Sequence, residues 1–497
     1  MGVSVGMGRA VITPERAGAS AGWSIAGPKR VEKKPEHTPH LMATALAVDR
    51  GDGEPIVLVF ADLHCGGRAL WRELAQRTGI PGERLIIAGT HTHAGPGFTY
   101  GSPMYNASTT PLAVPLPFYA GTLAKQIAPA VLQAVTGRVP GSVHLVDVAA
   151  DDTGSNRALP AVMRIAVDER RGLCAGGEGE PADRLRDRRI RVWVVRDEQG
   201  RPFGALATAA VHGTALGPAY PYWGADWAGY ARTHAEEALG QVLVGFAGGA
   251  SGDVSPLALD EKGERRPGSQ GRCGEQGEGL AAYVGQRIAE AVVQAVRQPA
   301  AEHDPASDEV FCAHHELWQP AIDERLAPAR PGLATAGGGI DGITTIEQWL
   351  ALSAGVKAPG YALQDAFPPS HAQHPKVPIE RAWGLSAVPV SAFAGSLLGP
   401  KTLPLHGVRL GGSLCVTIPG EPSTFVARRI EAAVRAQSGM DCVVVGFAGD
   451  YAGYWVTPEA YDEQRYEGAS TLFGRLASDV LMERILLLVA PLSTIES

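Results

Sequence analysis

Gly89-Thr-His91-Thr-His93-Ala-Gly-Pro-Gly97 comes directly after the short apolar run Arg84-Leu-Ile-Ile-Ala88. The run has the length and composition of a buried strand, and Gly and Pro punctuate the residues after it. Working outward, the same junction recurs. Residues 204–211 run into His212-Gly-Thr214, and 241–247 into Gly248-Gly-Ala-Ser-Gly-Asp253-Val-Ser255-Pro256. Residues 413–418 precede Pro419-Gly-Glu421, and 441–448 open into Gly449-Asp-Tyr451-Ala-Gly-Tyr454. Further strand-like runs lie at 55–61, 142–148 and 190–195. Amphipathic patterns predict helices over 68–78, 226–239, 279–298, 423–437 and 475–489, with Asp226 and Ser423 as N-caps. This alternation predicts a mixed α/β fold. Central mixed β-sheets are flanked by helices, and the site lies where strand ends converge.

Composition narrows the function classes. The chain has 497 residues, 45% hydrophobic and 19% charged, which supports a large core and excludes a disordered chain. Its net charge of −8 argues against a nucleic-acid partner. None of its six cysteines is paired at CxxC spacing, so neither a zinc ribbon nor a disulfide framework is expected. The N-terminal residues lack a basic segment followed by an apolar one, and the apolar stretch 485–492 is too short to span a bilayer. A cytoplasmic location without stable membrane insertion is therefore expected. Residues 171–189 and 260–279 read as surface loops. The stretch 318–404, rich in Pro, Ala and Gly, reads as long loops that shape a pocket.

The pair His91 and His93 is read here as dividing its work, one imidazole for metal and one for substrate. Imidazole suits zinc, and a catalytic zinc needs three or four protein ligands. Each candidate also has a plain structural alternative. The two histidines could bond turn backbone, and His212 could be a core histidine. Glu421 could be a first-turn helix acid. Tyr451 and Tyr454 could be packing residues, and Ser255 a turn hydroxyl. Ser255 lacks the Gly-x-Ser-x-Gly elbow of a hydrolase nucleophile. Their joint occurrence at successive strand ends favours a site.

Taken together, these segments resemble the neutral (non-lysosomal) ceramidase family. The similar stretches are Gly8-Arg-Ala-Val-Ile-Thr-Pro14, Gly89 to Pro96, Ser155-Asn156-Arg157, Val211-His-Gly-Thr214 and Gly252-Asp-Val-Ser-Pro256. Gly337-Gly-Gly-Ile-Asp-Gly342, Leu403-Pro-Leu405 through Arg429, and Tyr454 through Gly474 with Gln464-Arg-Tyr-Glu-Gly-Ala-Ser-Thr-Leu-Phe-Gly complete the set. Departures occur at Leu257 and Ala158, where the family has Asn and Ser.

The resemblance implies one catalytic domain over residues 1–497 and one Zn²⁺ per chain. It implies His91, His212, Glu421 and Tyr454 as zinc ligands, with Tyr451 the alternative phenol. It implies His93 as acid/base, Arg157 and Tyr466 as groups polarising the substrate carbonyl, and Ser255 as nucleophile or substrate contact. The expected activity is zinc-dependent hydrolysis of a small N-acyl amide. With no export signal and no C-terminal immunoglobulin-like domain of the familiar ceramidases, a substrate other than ceramide is expected. Two other readings stand beside it. One is a zinc-assisted cyclase or acyl transferase that forms an amide or ring in a biosynthetic pathway. The other is a non-catalytic zinc-binding or sugar- or lipid-binding relative.

Overall fold

The computed structural model describes residues 3–16, 18, 20–23, 31–108, 119–158, 162–171, 185–256, 275–299, 310–317, 323–337, 367–378, 399–400, 402–410 and 412–493. Its strands in chain order are β1 (Ser4–Val11), β2 (Met42–Asp49), β3 (Ile56–Ala61), β4 (Leu85–Gly89), β5 (Val139–Ala149), β6 (Ser155–Asn156), β7 (Arg189–Asp197) and β8 (Pro202–Ala209). They continue with β9 (Leu243–Gly248), β10 (Val254–Ser255), β11 (Val310–Leu317), β12 (Leu403–Leu410), β13 (Ser413–Thr417), β14 (Glu421–Pro422), β15 (Asp441–Val445) and β16 (Tyr454–Trp455). Eight strands form one sheet in the order β4-β3-β2-β1-β5-β7-β8-β9, and four form a second in the order β11-β12-β13-β15. Most neighbours are antiparallel, but β3 with β4, β8 with β9 and β13 with β15 run parallel. The expected mixed α/β fold is what forms.

The wholly apolar β3 and β4 are buried along their full length, as strands covered on both faces must be. One apolar cluster joins Leu46, Leu58, Phe60, Trp193 and Leu206 of the large sheet to Val408, Cys415 and Val443 of the small one, so the two sheets share a core. Helices cover the outer faces. Helices Arg68–Thr78 and Tyr119–Thr136 pack on β1 to β4, and Asp226–Leu239 and Glu275–Arg297 on β5 and β7 to β9. Helices Thr424–Ser438 and Ala477–Ser493 cover the small sheet. Arg191 on β7 reaches Glu431 of Thr424–Ser438 at 3.2 Å and the Cys442 carbonyl at 3.0 Å, linking the sheets through polar contacts as well. Among the described residues no helix is long and apolar enough to cross a membrane.

Several expectations need correction. Asp226 is the first helical residue rather than the cap. It sits at φ 51°, and its carboxylate accepts from the amides of Ala215, Leu216 and Trp227. Ser423 occupies the N-cap position without a side-chain bond. Asp253 does that work instead, accepting from the Thr424 amide at 2.7 Å and hydroxyl at 2.8 Å. The helix expected from residue 279 begins at Glu275. Strands β2, β11 and β12 and helix Tyr119–Thr136 were not anticipated from periodicity. β12 closes the stretch read as loops, because Leu403–Leu410 pairs with both β11 and β13. Of that stretch, residues 318–322, 338–366 and 379–398 lie outside the described residues, as do all but Gly337 of the glycine-rich 337–342 segment. Of the two expected surface loops, residues 172–184 and 260–274 lie outside them too.

Candidate metal centre

Four strand ends deliver the candidate ligands to one point. His91 lies two residues past β4 and His212 three past β8, while β14 and β16 pair in parallel with Glu421 opposite Tyr454. The Nε2 atoms of His91 and His212 are 3.1 Å apart. Glu421 Oε1 lies 3.4 Å from His91 Nε2, and its Oε2 lies 3.4 Å from His212 Nε2. Donors bound at about 2.0–2.1 Å to a tetrahedral zinc stand roughly 3.3 Å from one another, so these separations fit a single ion. His91 Nδ1 donates to the His64 carbonyl at 2.9 Å, and His212 Nδ1 to the Ser251 carbonyl at 2.9 Å. Those bonds fix the tautomers that turn both Nε2 lone pairs toward the centre. Glu421 Oε2, buried, has no hydrogen-bond partner among the described residues. A buried carboxylate oxygen left unbonded is costly, and a cation would satisfy it. The residues present therefore fit a divalent metal.

The electrostatics agree. Burial would raise the Glu421 carboxyl, but His91 and the Tyr451 hydroxyl outweigh it and hold it below its ordinary value. Burial lowers His212 and His93 well below the usual imidazole range, and neighbouring positive groups add to the effect. Burial and the Glu421 charge push Tyr451 and Tyr454 well above the usual phenol range.

The two histidines of the pair are not separated into two places. Their Nε2 atoms are 3.2 Å apart, and His91 adopts φ 64°, so the segment turns at this point instead of running on as a strand. His93 Nδ1 has no hydrogen-bond partner among the described residues, and its ring packs edge-on to Trp23 at 4.7 Å. Gly22 is needed beside it: at φ 104°, a Cβ there would fall 2.5 Å from the imidazole.

The remaining candidates divide into those at the centre and one behind it. Tyr451 donates its hydroxyl to Glu421 Oε1. Tyr454 accepts from Arg157 Nη2 at 2.9 Å. Arg157 is held by Glu467 at 2.8 Å and by the Gly252 carbonyl at 2.9 Å, and its guanidinium lies 5.9 Å from the Tyr466 ring centre. Short strands set this arrangement: β6 pairs with β10, the Arg157 amide bonds the Asp253 carbonyl, and Asn156 bonds the Asp253 carboxylate. Ser255 is buried in β10 with its hydroxyl unpartnered among the described residues, and it is not among the residues lining the adjacent cavity. That cavity, about 220 Å³, is lined by His64, His93, Glu421, Tyr451, Tyr454 and Tyr466, with Met104, Tyr105, Pro331 and Thr335 among its other walls.

His64 was not anticipated. Its ring lies 4.1 Å from that of His91 and 5.0 Å from that of His93. It comes just after the end of β3, so the strand-end rule that picked out His91 would have found it had it been applied to Pro55-Ile-Val-Leu-Val-Phe-Ala61 as well.

Known proteins resemble this chain over nearly its whole length. The family described as neutral/alkaline non-lysosomal ceramidase, N-terminal, matches residues 4–483. A neutral ceramidase of Drosophila pseudoobscura pseudoobscura is 24% identical over 535 aligned residues, covering 96% of this chain and 73% of that protein. The neutral ceramidase of Drosophila melanogaster is 25% identical, with the same coverage of 96% and 73%. The crystal structure of neutral ceramidase from Pseudomonas aeruginosa superposes with a TM-score of 0.76 at 22% identity, covering 99% of this chain and 75% of that one. A ceramidase complexed with C2 gives 0.77 at the same identity and coverage.

Proposed function

Because this chain belongs to the neutral/alkaline ceramidase family, we propose that it is a zinc-dependent hydrolase of an N-acyl amide smaller or more polar than ceramide. The observation that carries the reading is the convergence of His91 Nε2, His212 Nε2 and both Glu421 oxygens within 3.1–3.4 Å of their neighbours. Two imidazoles, a carboxylate and a phenol are a donor set suited to zinc. Tyr454 is the proposed fourth ligand: it stands opposite Glu421 and accepts from Arg157 Nη2 at 2.9 Å, and a bound cation would offset the burial that raises its phenol.

A divalent cation held there supplies Lewis acidity, lowering the pKa of water and polarising a carbonyl. The protein's own residues do the rest. His93 is neutral near pH 7, because burial lowers its pKa. It takes a proton from the attacking water and returns it to the leaving amine. Arg157 and Tyr466 donate to the amide oxygen as charge develops, at about 3 kcal/mol per donor. Tyr105 and Met104 line the cavity, which at about 220 Å³ is below the roughly 300–1,000 Å³ usual for drug-sized ligands. That volume accommodates a short acyl group. No feature of the site favours the amide-forming alternative.

The test is elemental analysis of the purified chain, combined with hydrolysis of N-acyl amides graded from acetyl to long-chain. About one zinc per chain and highest kcat/KM on short soluble amides are expected. Sphingosine release from ceramide as efficient as cleavage of any soluble amide would overturn the substrate assignment.

A further inference from the structure

We propose that His64 and His93 form a second divalent-cation site beside the first, through which excess metal inhibits the enzyme. This rests on reading His91, His212 and Glu421 as the resident-metal ligands and His93 as the proton-transfer group.

Donor atoms of His64, His91 and His93 all lie within 4.8 Å of one another, a second triad that overlaps the first at His91. His91 has one lone pair to offer, since its Nδ1 is committed to the His64 carbonyl. With the resident ion in place, His64 and His93 remain as two imidazoles facing the same cavity. His64 is oriented for this. The Tyr100 hydroxyl lies 2.8 Å from its Nδ1, and when that hydroxyl accepts, Nε2 presents its lone pair. His93 Nε2 faces His91 Nε2 at 3.2 Å, and it offers its lone pair when the proton sits on Nδ1, which has no hydrogen-bond partner among the described residues. The cavity leaves room for water to complete the coordination. The pair includes no carboxylate, so a cation binds here more weakly than at the first site and fills it only in excess. A cation on the His93 lone pair prevents that nitrogen from accepting a proton, and hydrolysis stops.

The experiment titrates Zn²⁺ into the metal-free protein. Bound zinc is read by equilibrium dialysis, and cleavage of a short-chain N-acyl amide is followed in parallel. Wild type is expected to gain activity with the first equivalent and lose it as a second binds. His64→Ala should still bind the first equivalent. Its half-inhibition, normalised to its own maximum, should need about tenfold more zinc or beyond, by analogy with the cost of lost metal-site partners. His64→Gln keeps a hydrogen-bonding group for Tyr100 and guards against misfolding; it should shift in the same direction. Equal half-inhibition in wild type and both variants, or no second equivalent in wild type, would overturn the proposal. A His91→Ala chain that keeps its first equivalent would overturn the resident-site reading instead. The difference in total bound zinc between wild type and His64→Ala then still decides the second site.

Discussion

His91 adopts φ 64°, a conformation unfavourable for a residue with a Cβ, and is held there by its amide bond to Leu63 and its imidazole bond to the His64 carbonyl. The ring of Phe447 stacks on it at 3.9 Å. With the backbone turned in this way, His93 Nε2 lies 3.2 Å from His91 Nε2. His93→Ala is expected to lower kcat by about 10²–10⁴-fold while zinc content stays at one per chain. Loss of metal in that variant would make His93 a ligand. The two tyrosines can be separated in the same way. Tyr454→Phe should weaken metal affinity, measured by competition with a chelator, more than Tyr451→Phe does, because the latter removes only a hydrogen bond to a Glu421 oxygen. The reverse ranking would make Tyr451 the ligand. At this scale His91, His212 and Glu421 were legible because each ends an apolar run. The mutual approach of His91 and His93 was not, since a positive φ at a non-glycine residue leaves no mark in the pattern.

Short elements and caps carry the site, and these are what periodicity reads least well. The two-residue strands β6, β10, β14 and β16 position Arg157, Ser255, Glu421 and Tyr454, yet each is too brief to show alternation. Helices 68–78 and 226–239 were legible to the residue because their apolar faces repeat over three turns or more. The capping by Asp253, 171 positions from Thr424, was not, because it joins distant parts of the chain. Asp450 is a comparable long-range anchor. It accepts from the Gly101 amide at 3.0 Å, and the backbone beside it receives the Cys65 thiol. Burial raises its carboxyl to about 6, above its ordinary 3.8. The folded chain thus holds this proton more tightly than the unfolded one. The associated stability is fully present below about pH 4 and is lost as pH rises through about 6, up to roughly 3 kcal/mol. Asp450→Asn should remove that part of the slope in urea midpoints measured from pH 4 to 7. An unchanged slope would show that Asp450 titrates alike in both states.

The proposed metal ligands come from both sheets of the molecule. His91 and His212 come after strands of the eight-stranded sheet, and Glu421 after β13 of the four-stranded one. The mixed α/β class was readable from alternating runs, but this division of the ligands between two sheets was not. It depends on β11 and β12 completing the second sheet, and His314, Arg409 and Pro404 interrupt the apolar pattern there. An ion bound across the sheets favours the folded state over an unfolded chain in which these ligands lie far apart. Linkage then requires stability to grow with the logarithm of free metal, reaching about 2.7 kcal/mol at a hundredfold excess over Kd. Chelation of the purified protein should lower its urea midpoint, and added zinc should restore it. Glu421→Ala should cut this metal-dependent shift sharply, because removing the carboxylate leaves Tyr454, which follows β15, as the second sheet's remaining proposed donor. The same variant also loses the buried Tyr451 bond, so its metal-free stability sets the reference for the comparison. A shift as large in Glu421→Ala as in wild type would mean that Glu421 does not hold the ion, and the bridging through this carboxylate would be wrong.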